Sequence, residues 1–229
     1  MTDALNARSE ILARIRSATG RDVPALSADA AWQAISRNYR QAGTLDLAGR
    51  IDLLIEQLRD YGAGVFRCES SQLAATIAEI LAHQKKSKML VSPDIDSLRL
   101  PYGHNVTFVA DSGLSYANID DCDGVLTGCM VAIAATGTLV LCHGAGSDTA
   151  SGNQPGQGRR ALTLIPDYHL CVVRASDLVE TVPEAIHILD SYRKQPITFI
   201  SGPSATADIE MTRIQGVHGP RVLDVVIVD

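Results

Sequence analysis

From residue 46 onward the chain alternates short apolar runs with stretches of helical spacing. In "DLAGRIDLLIEQLRDYG", Leu47, Ile51, Leu54, Ile55 and Leu58 recur at three- and four-residue steps, the pattern of one helix face. Gly62, at its end, suits a left-handed C-terminal stop. "GVFRC" and "KMLVS" read as short strands on either side of "SSQLAATIAEILAHQ", a helix that opens on a serine cap. "NVTFVA" reads as the next strand. This rhythm predicts an α/β fold: a mostly parallel or mixed sheet with helices on both faces.

The centre departs from the rhythm. In "GVLTGCMVAIAATGTLVLCHGAG" two apolar runs flank "AATGT" with no room for a crossover helix, which predicts a tight turn between strands of a mixed sheet. "GAGSDTASGNQPGQGRR" follows as a glycine-rich loop, and residues 144–158 are a candidate lid. "ALTLIP" and "HLCVVR" then read as strands, and "SDLVETVPEAIHILDSYR" contains a helix. "ITFIS" and "VLDVVIVD" complete the sheet. At the other end, residues 8–18 place Ile11, Leu12 and Ile15 on one side of an amphipathic helix, and a second helix is expected near "AAWQAISRNYRQ", packed through Trp32 and Ile35. The expected organisation is a helical extension over 1–45 and an α/β domain over 46–229.

Composition narrows the function classes. A 46% hydrophobic share with 20% charged residues fits a chain that buries a substantial core, and 4% aromatics leaves the packing to aliphatic side chains. The net charge of −6, without a Lys/Arg cluster, argues against a nucleic-acid or anionic-membrane surface. The first residues lack the apolar core of a signal peptide, and no run approaches the roughly 20 apolar residues of a membrane helix. A cytoplasmic protein with no membrane span is expected. Five cysteines without a CxxC pair read as buried thiols, and six histidines without paired spacing give no metal site. The chain by itself is not expected to hold an iron–sulfur cluster, whose thiolates come in close groups.

Three stretches carry candidate chemistry. Residues 200–221, "ISGPSATADIEMTRIQGVHGPR", read as a strand end followed by a short helix. Helix N–H groups there, with Ser201, Gly202, Ser204 and Thr206, suit an anion; His218 and Arg221 stand close to the last strand. Asp208 and Glu210 are candidate acid/base groups or ion-pair partners of Arg213 or Arg221. A capped helix with a Gly-Pro turn accounts for the same residues without a ligand. In "AATGTLVL", Thr136, Gly137 and Thr138 can present N–H and hydroxyl groups to an oxyanion, or simply turn the chain. It is neither a Walker A nor a dinucleotide fingerprint. In "GQGRRALTLIP", the fork of Arg160 beside glycines suits a carboxylate or phosphate. No GxSxG elbow occurs, and the catalytic residues stay unassigned.

Together, "ARSEILARIRSATG", "AIAATGTLVL", "RRALTLIPDYHLCVV" and "ISGPSATADIEMTRIQGVHGPR" resemble the LUD-domain family, in particular its lactate utilization protein C group, in order and across nearly the whole chain. The resemblance implies the fold of the ribose-phosphate isomerase and CoA-transferase superfamily. It also implies a part in bacterial L-lactate utilization, the oxidation of L-lactate to pyruvate with iron–sulfur and cysteine-rich partner proteins. The clusters would then lie in those partners and no cofactor in this chain. CoA-transferases use a glutamate nucleophile, and some relatives carry Glu just before the Ser/Thr-Gly-Thr turn. Here that position is Ala135, which counts against a covalent carboxylate mechanism. The readings left open are an accessory or ligand-binding subunit, a stand-alone enzyme or binder acting on a small phosphorylated or CoA-linked metabolite, and a structural scaffold.

Overall fold

A computed structural model describes residues 2–19, 27–95, 100–101, 105–143, 156–206, 214–215 and 219–229. The chain forms two units, 1–39 and 40–229. The first holds helix α1 (Thr2–Thr19) and the short α2 (Ala28–Gln33), capped by the Ser27 hydroxyl, which accepts from the Ala30 N–H. Ile11, Leu12 and Ile15 are exposed, as are Trp32 and Ile35, and the Arg37 guanidinium lies 4.8 Å from the Trp32 ring centre.

The second unit begins with a short strap. Glu180, whose side chain is almost wholly buried, accepts from the N–H groups of Thr44 (2.5 Å) and Leu45 (2.6 Å) and from Arg40. These bonds, led by that of Leu45, hold its carboxyl below the usual range. Helix α3 (Leu47–Asp60) follows, capped by Asp46 and stopped by Gly62 at φ 85°. Then come β1 (Gly64–Cys68), α4 (Leu73–His83), β2 (Lys88–Val91), β3 (Thr107–Ala110), α5 (Tyr116–Asp120), β4 (Gly124–Thr127), β5 (Val131–Ile133) and β6 (Thr138–Cys142). They are followed by β7 (Tyr168–Arg174), β8 (Leu178–Val179), α6 (Val182–Leu189), β9 (Ile197–Ile200), β10 (Ala205–Thr206), β11 (Ile214–Gln215) and β12 (Val222–Val228).

Among the described residues these strands make two main sheets. The first is parallel throughout, in the order β1-β12-β7-β4-β2-β3. Its four central strands are buried on both faces, so β7 and β12 read as nearly unbroken apolar runs. On one face, Ile77 and Leu81 of α4 pack on Met89, Leu126, Leu170 and Val226. On the other, Leu54 and Leu58 of α3 share a core with Cys171, Val225, Ala132 and Leu139. Ala132 and Leu139 belong to the second sheet, β8-β5-β6-β9, in which β5–β6 and β6–β9 are antiparallel. Helix α6 covers its far side, with Ala185 and Leu189 against Val131, Ile133 and Val140.

The parallel sheet flanked by helices agrees with the sequence pattern; several local expectations do not. The hairpin around "AATGT" and the "ITFIS" strand form the second sheet rather than completing the first. Both of that sheet's faces are covered, so β5 and β6 show no alternation to distinguish their sheet. "ALTLIP" is not a strand: Arg160–Thr163 make a 3-10 turn. The three-residue repeat puts Leu162 and Ile165 together against Ile119 and Val125. Residues 203–206 are not helical, and Ala205 and Thr206 pair with β11 instead; the rest of the expected helix, 207–211, lies outside the described residues. Helix α4 opens on Gln72 without a side-chain cap, not on a serine.

Two glycines let α3 approach the turns at one end of the second sheet. Gly137 has φ 57°, and a Cβ on it would stand 2.8 Å from the Gln57 Cβ and 3.1 Å from its carbonyl carbon. Gly202 has φ 86°, and its Cβ would lie 2.6 Å from the Tyr61 Cβ. A polar pin sits on the opposite face of the first sheet. Asp224 of β12, 3% exposed, accepts from Tyr168 Oη (2.9 Å) and Gln84 Nε2 (2.8 Å), and a Cβ on Gly64 would be 2.1 Å from its Oδ1.

Gly137→Ala combines a left-handed backbone with collision against the α3 main chain. It is expected to lower unfolding free energy by at least about 2 kcal/mol. Gly113, at φ 90° with nothing within 4 Å of its Cβ position, provides the control. Gly113→Ala should cost only the backbone share, about 1 kcal/mol. Urea unfolding of both variants checks the difference.

Candidate functional site

A cleft of about 350 Å³ opens between the facing sides of the two sheets. Thr198 and Ile200 of β9 form one wall, and His169 of β7 and Leu223 of β12 the other. Residues 201–205 and the Arg160–Thr163 turn close the rim. Thr198 pairs with Leu141 and Ile200 with Leu139, so both β9 side chains share the face that looks toward the first sheet. His169 is on the matching face, opposite Val125 and Leu223 in register.

The electrostatics of the lining favour an anion. Among its described residues there is no carboxylate, while Arg160 contributes a guanidinium. Arg160 is exposed and, among the described residues, has no ion-pair partner. Its neighbours in chemistry are engaged: Arg159 is bidentate on Asp111 (2.6 and 2.7 Å), and Arg221 is bidentate on Asp167 (2.6 and 2.7 Å). A free guanidinium fork next to neutral donors is the usual arrangement for a carboxylate or phosphate.

The hydroxyl groups are connected. Thr136 Oγ1 lies 2.7 Å from Thr138 Oγ1, which lies 2.8 Å from Ser201 Oγ on the rim. The "AATGT" turn therefore supports the cleft from behind through Thr138, and Gly137 serves the α3 contact. Gly202 and Ser204 line the cleft beside Ser201. Thr206 has its backbone in β10. Asp208, Glu210 and His218 lie outside the described residues, as does most of the 144–158 loop. The end of that loop is anchored: Gln157 donates its N–H to the Cys142 carbonyl (3.0 Å), returns its Oε1 to the Cys142 N–H (2.7 Å) and donates Nε2 to Asp94 (3.0 Å). Burial raises the Asp94 carboxyl above its usual range.

Two histidines gain importance here that the sequence did not signal. His143 and His169 are 3% and 1% exposed. His169 Nε2 sits 2.8 Å from Thr127 Oγ1. Its Nδ1 makes no hydrogen bond among the described residues, and none of their buried side-chain nitrogens or oxygens lacks a partner, so Nδ1 is the accessible atom on the cleft. His143 bonds the Gly158 carbonyl and Thr198 Oγ1. Burial lowers the pKa of both rings, that of His169 to about 4. Among the described lining residues, Arg160 thus carries the one fixed charge at neutral pH, with neutral imidazole and hydroxyl groups around it. Groups of three or more His, Cys, Asp or Glu arranged for a metal ion are absent among the described residues.

The depressed pKa of His169 has a defined sign in stability. The folded ring binds fewer protons than the unfolded one, so its contribution is complete above the unfolded value near 6.5 and declines as pH falls toward 4. The full effect is about 3 kcal/mol. An NMR titration of the His169 ring should show its midpoint near 4, and His169→Gln should flatten the stability loss between pH 6.5 and 4.

A family model described as the LUD domain matches residues 51–228, a span that contains every described residue of the cleft. A lactate utilization protein C of Deinococcus radiodurans is 42% identical over 175 residues, 76% of this chain and 76% of that one. Another, from Anoxybacillus flavithermus, is 27% identical over 222 residues, covering 91% and 93% of the two chains. The crystal structure of a DUF162 family protein from Deinococcus radiodurans superposes with a TM-score of 0.64 at 34% identity, over 81% of this chain and all of that one. With its parallel sheet, its second sheet and the cleft between them, the chain belongs to the LUD-domain family.

Proposed function

We propose that this chain serves lactate utilization as a small-carboxylate-binding subunit of a system that oxidises L-lactate to pyruvate. The names of its relatives support the metabolic context. The observation that carries the ligand class is the Arg160 guanidinium, without an ion-pair partner among the described residues, at a cleft whose described lining lacks acids. In this reading, iron–sulfur and cysteine-rich partner proteins carry the electrons, in the cytoplasm. The five buried free cysteines of this chain, placed as core residues, support assigning the redox centres to those partners. A cleft of about 350 Å³ is at the small end of ligand sites, well matched to a three-carbon acid and poorly to a whole coenzyme A. That size weighs against a CoA-linked substrate.

The neutral groups suit binding more directly than bond-making. Arg160 supplies two parallel N–H donors to a carboxylate, and Ser201, held by Thr138, adds a hydroxyl at the rim. His169 Nδ1 offers a neutral nitrogen for hydrogen bonding.

Thermal-shift and calorimetric titration with L-lactate, pyruvate, propionate and inorganic phosphate tests the ligand class. Carboxylates are expected to bind saturably, and Arg160→Ala to weaken them at least about tenfold. Arg221→Ala, which removes a guanidinium already bound to Asp167, should leave that binding unchanged. Phosphate binding in place of the carboxylates would favour the phosphorylated-metabolite reading. The subunit role is tested by reconstituting lactate-dependent electron transfer with the partner proteins. Full activity without this chain would overturn it.

A further inference from the structure

The direction of one hydrogen-bond chain decides what the cleft can recognise beyond a carboxylate. His143 Nδ1 lies 3.0 Å from the carbonyl oxygen of Gly158. A carbonyl oxygen only accepts, so Nδ1 carries the ring proton. Burial disfavours the charged imidazolium, leaving a neutral ring with a single N–H. Nε2 is then a lone pair, and the Thr198 hydroxyl 2.8 Å away must donate to it. The Thr198 proton is engaged in this bond, and only lone pairs of Oγ1 remain for the cleft.

This direction is held by the surrounding backbone. Gly158 adopts φ 75°, with Leu162 and Pro93 at 2.8 and 3.2 Å from its Cβ position. The preceding residue, Gln157, is pinned to both backbone groups of Cys142. The Gly158 carbonyl therefore has little freedom to turn away and release the ring. His143 itself is fixed by its N–H, which donates to the Pro196 carbonyl at 2.8 Å.

Resting on the carboxylate reading above, we infer that Thr198 is a specificity-determining residue of the cleft, oriented by His143 to accept a hydrogen bond from a hydroxyl group of the bound acid. Arg160 holds the carboxylate, and Thr198 distinguishes the neighbouring oxygen. A hydroxy acid supplies the proton that Thr198 lacks. The corresponding keto acid brings another acceptor, lone pair against lone pair, and an unsubstituted acid brings nothing. The site thus holds the reduced, hydroxyl-bearing acid in preference to its oxidised product. His143 acts through Thr198 and is a positioning residue.

Calorimetric titration of the full chain with L-lactate, pyruvate and propionate reads the discrimination as ratios within each variant. The wild-type chain should bind L-lactate about tenfold more tightly than propionate, and pyruvate no better than propionate. Thr198→Val, close in shape but without the hydroxyl, should bring L-lactate to the level of propionate. Thr198→Ser should restore the preference, which a merely structural loss would not do. If the valine variant does not fold, the wild-type ratios and the serine variant still decide. Pyruvate binding as tightly as L-lactate, with both dependent on Arg160, would overturn the role of Thr198 and leave the carboxylate reading standing. Failure of all three acids to bind would overturn both.

Discussion

The close approach of α3 to the second sheet sets the geometry on which the cleft depends. Its last turn lies against Gly137, and Tyr61, just beyond it, lies against Gly202, with spacings that no side chain tolerates. The first contact fixes the turn that carries Thr136 and Thr138; the second fixes the turn that carries Ser201 and Ser204. Their hydroxyls then meet across 2.8 Å between Thr138 and Ser201. Leu54 and Leu58, wholly buried on the same helix, each contribute about 1.5–3 kcal/mol to holding it there. The polar rim is thus positioned by apolar burial and two absent Cβ atoms, with the hydroxyl bonds completing an arrangement that packing has already imposed.

The same separation of tasks holds inside the cleft. Among the described lining residues charge is confined to Arg160, while Arg159 and Arg221 are paired with Asp111 and Asp167. The imidazoles are kept neutral by burial, and the Gly158 carbonyl assigns the ring proton of His143 to Nδ1, leaving Nε2 to accept from Thr198. Such a site binds with little reorganisation, because its donors and acceptors are already directed by partners outside the ligand.

Much of the architecture was legible in the chain. The spacing of Ile51, Leu54 and Leu58 gave α3 with its glycine stop, and the apolar runs gave β1, β2, β7 and β12 in place. The two-sheet arrangement was not legible. β5 and β6 are buried on both faces, and a run without alternation does not reveal its neighbours. "ALTLIP" shows the matching ambiguity, since six apolar-rich residues suit a strand or a 3-10 turn equally. Of the site, Arg160, Ser201, Gly202 and Ser204 were identifiable from turn chemistry and charge, and they converge on the cleft. Thr198, His143 and His169 were hidden inside strand-like runs or at their ends. Their roles arise from which sheet faces which, and that is decided by tertiary packing. Arg221 shows the converse: its residue type suited an anion, but Asp167 holds it.

Asp224 is a carboxylate in an otherwise apolar strand, and its consequence is one of addressing. Neighbouring parallel strands built from Val, Ile and Leu can slide by two residues while still presenting apolar groups to both faces. A buried carboxylate cannot slide, because away from Tyr168, Gln84 and the space above Gly64 it would lose its donors in a medium without water. One position thereby aligns β12 with β1, β7 and the end of α4 at once. It also brings Leu223 beside His169, so the cleft inherits its wall from a residue on the opposite face of the sheet.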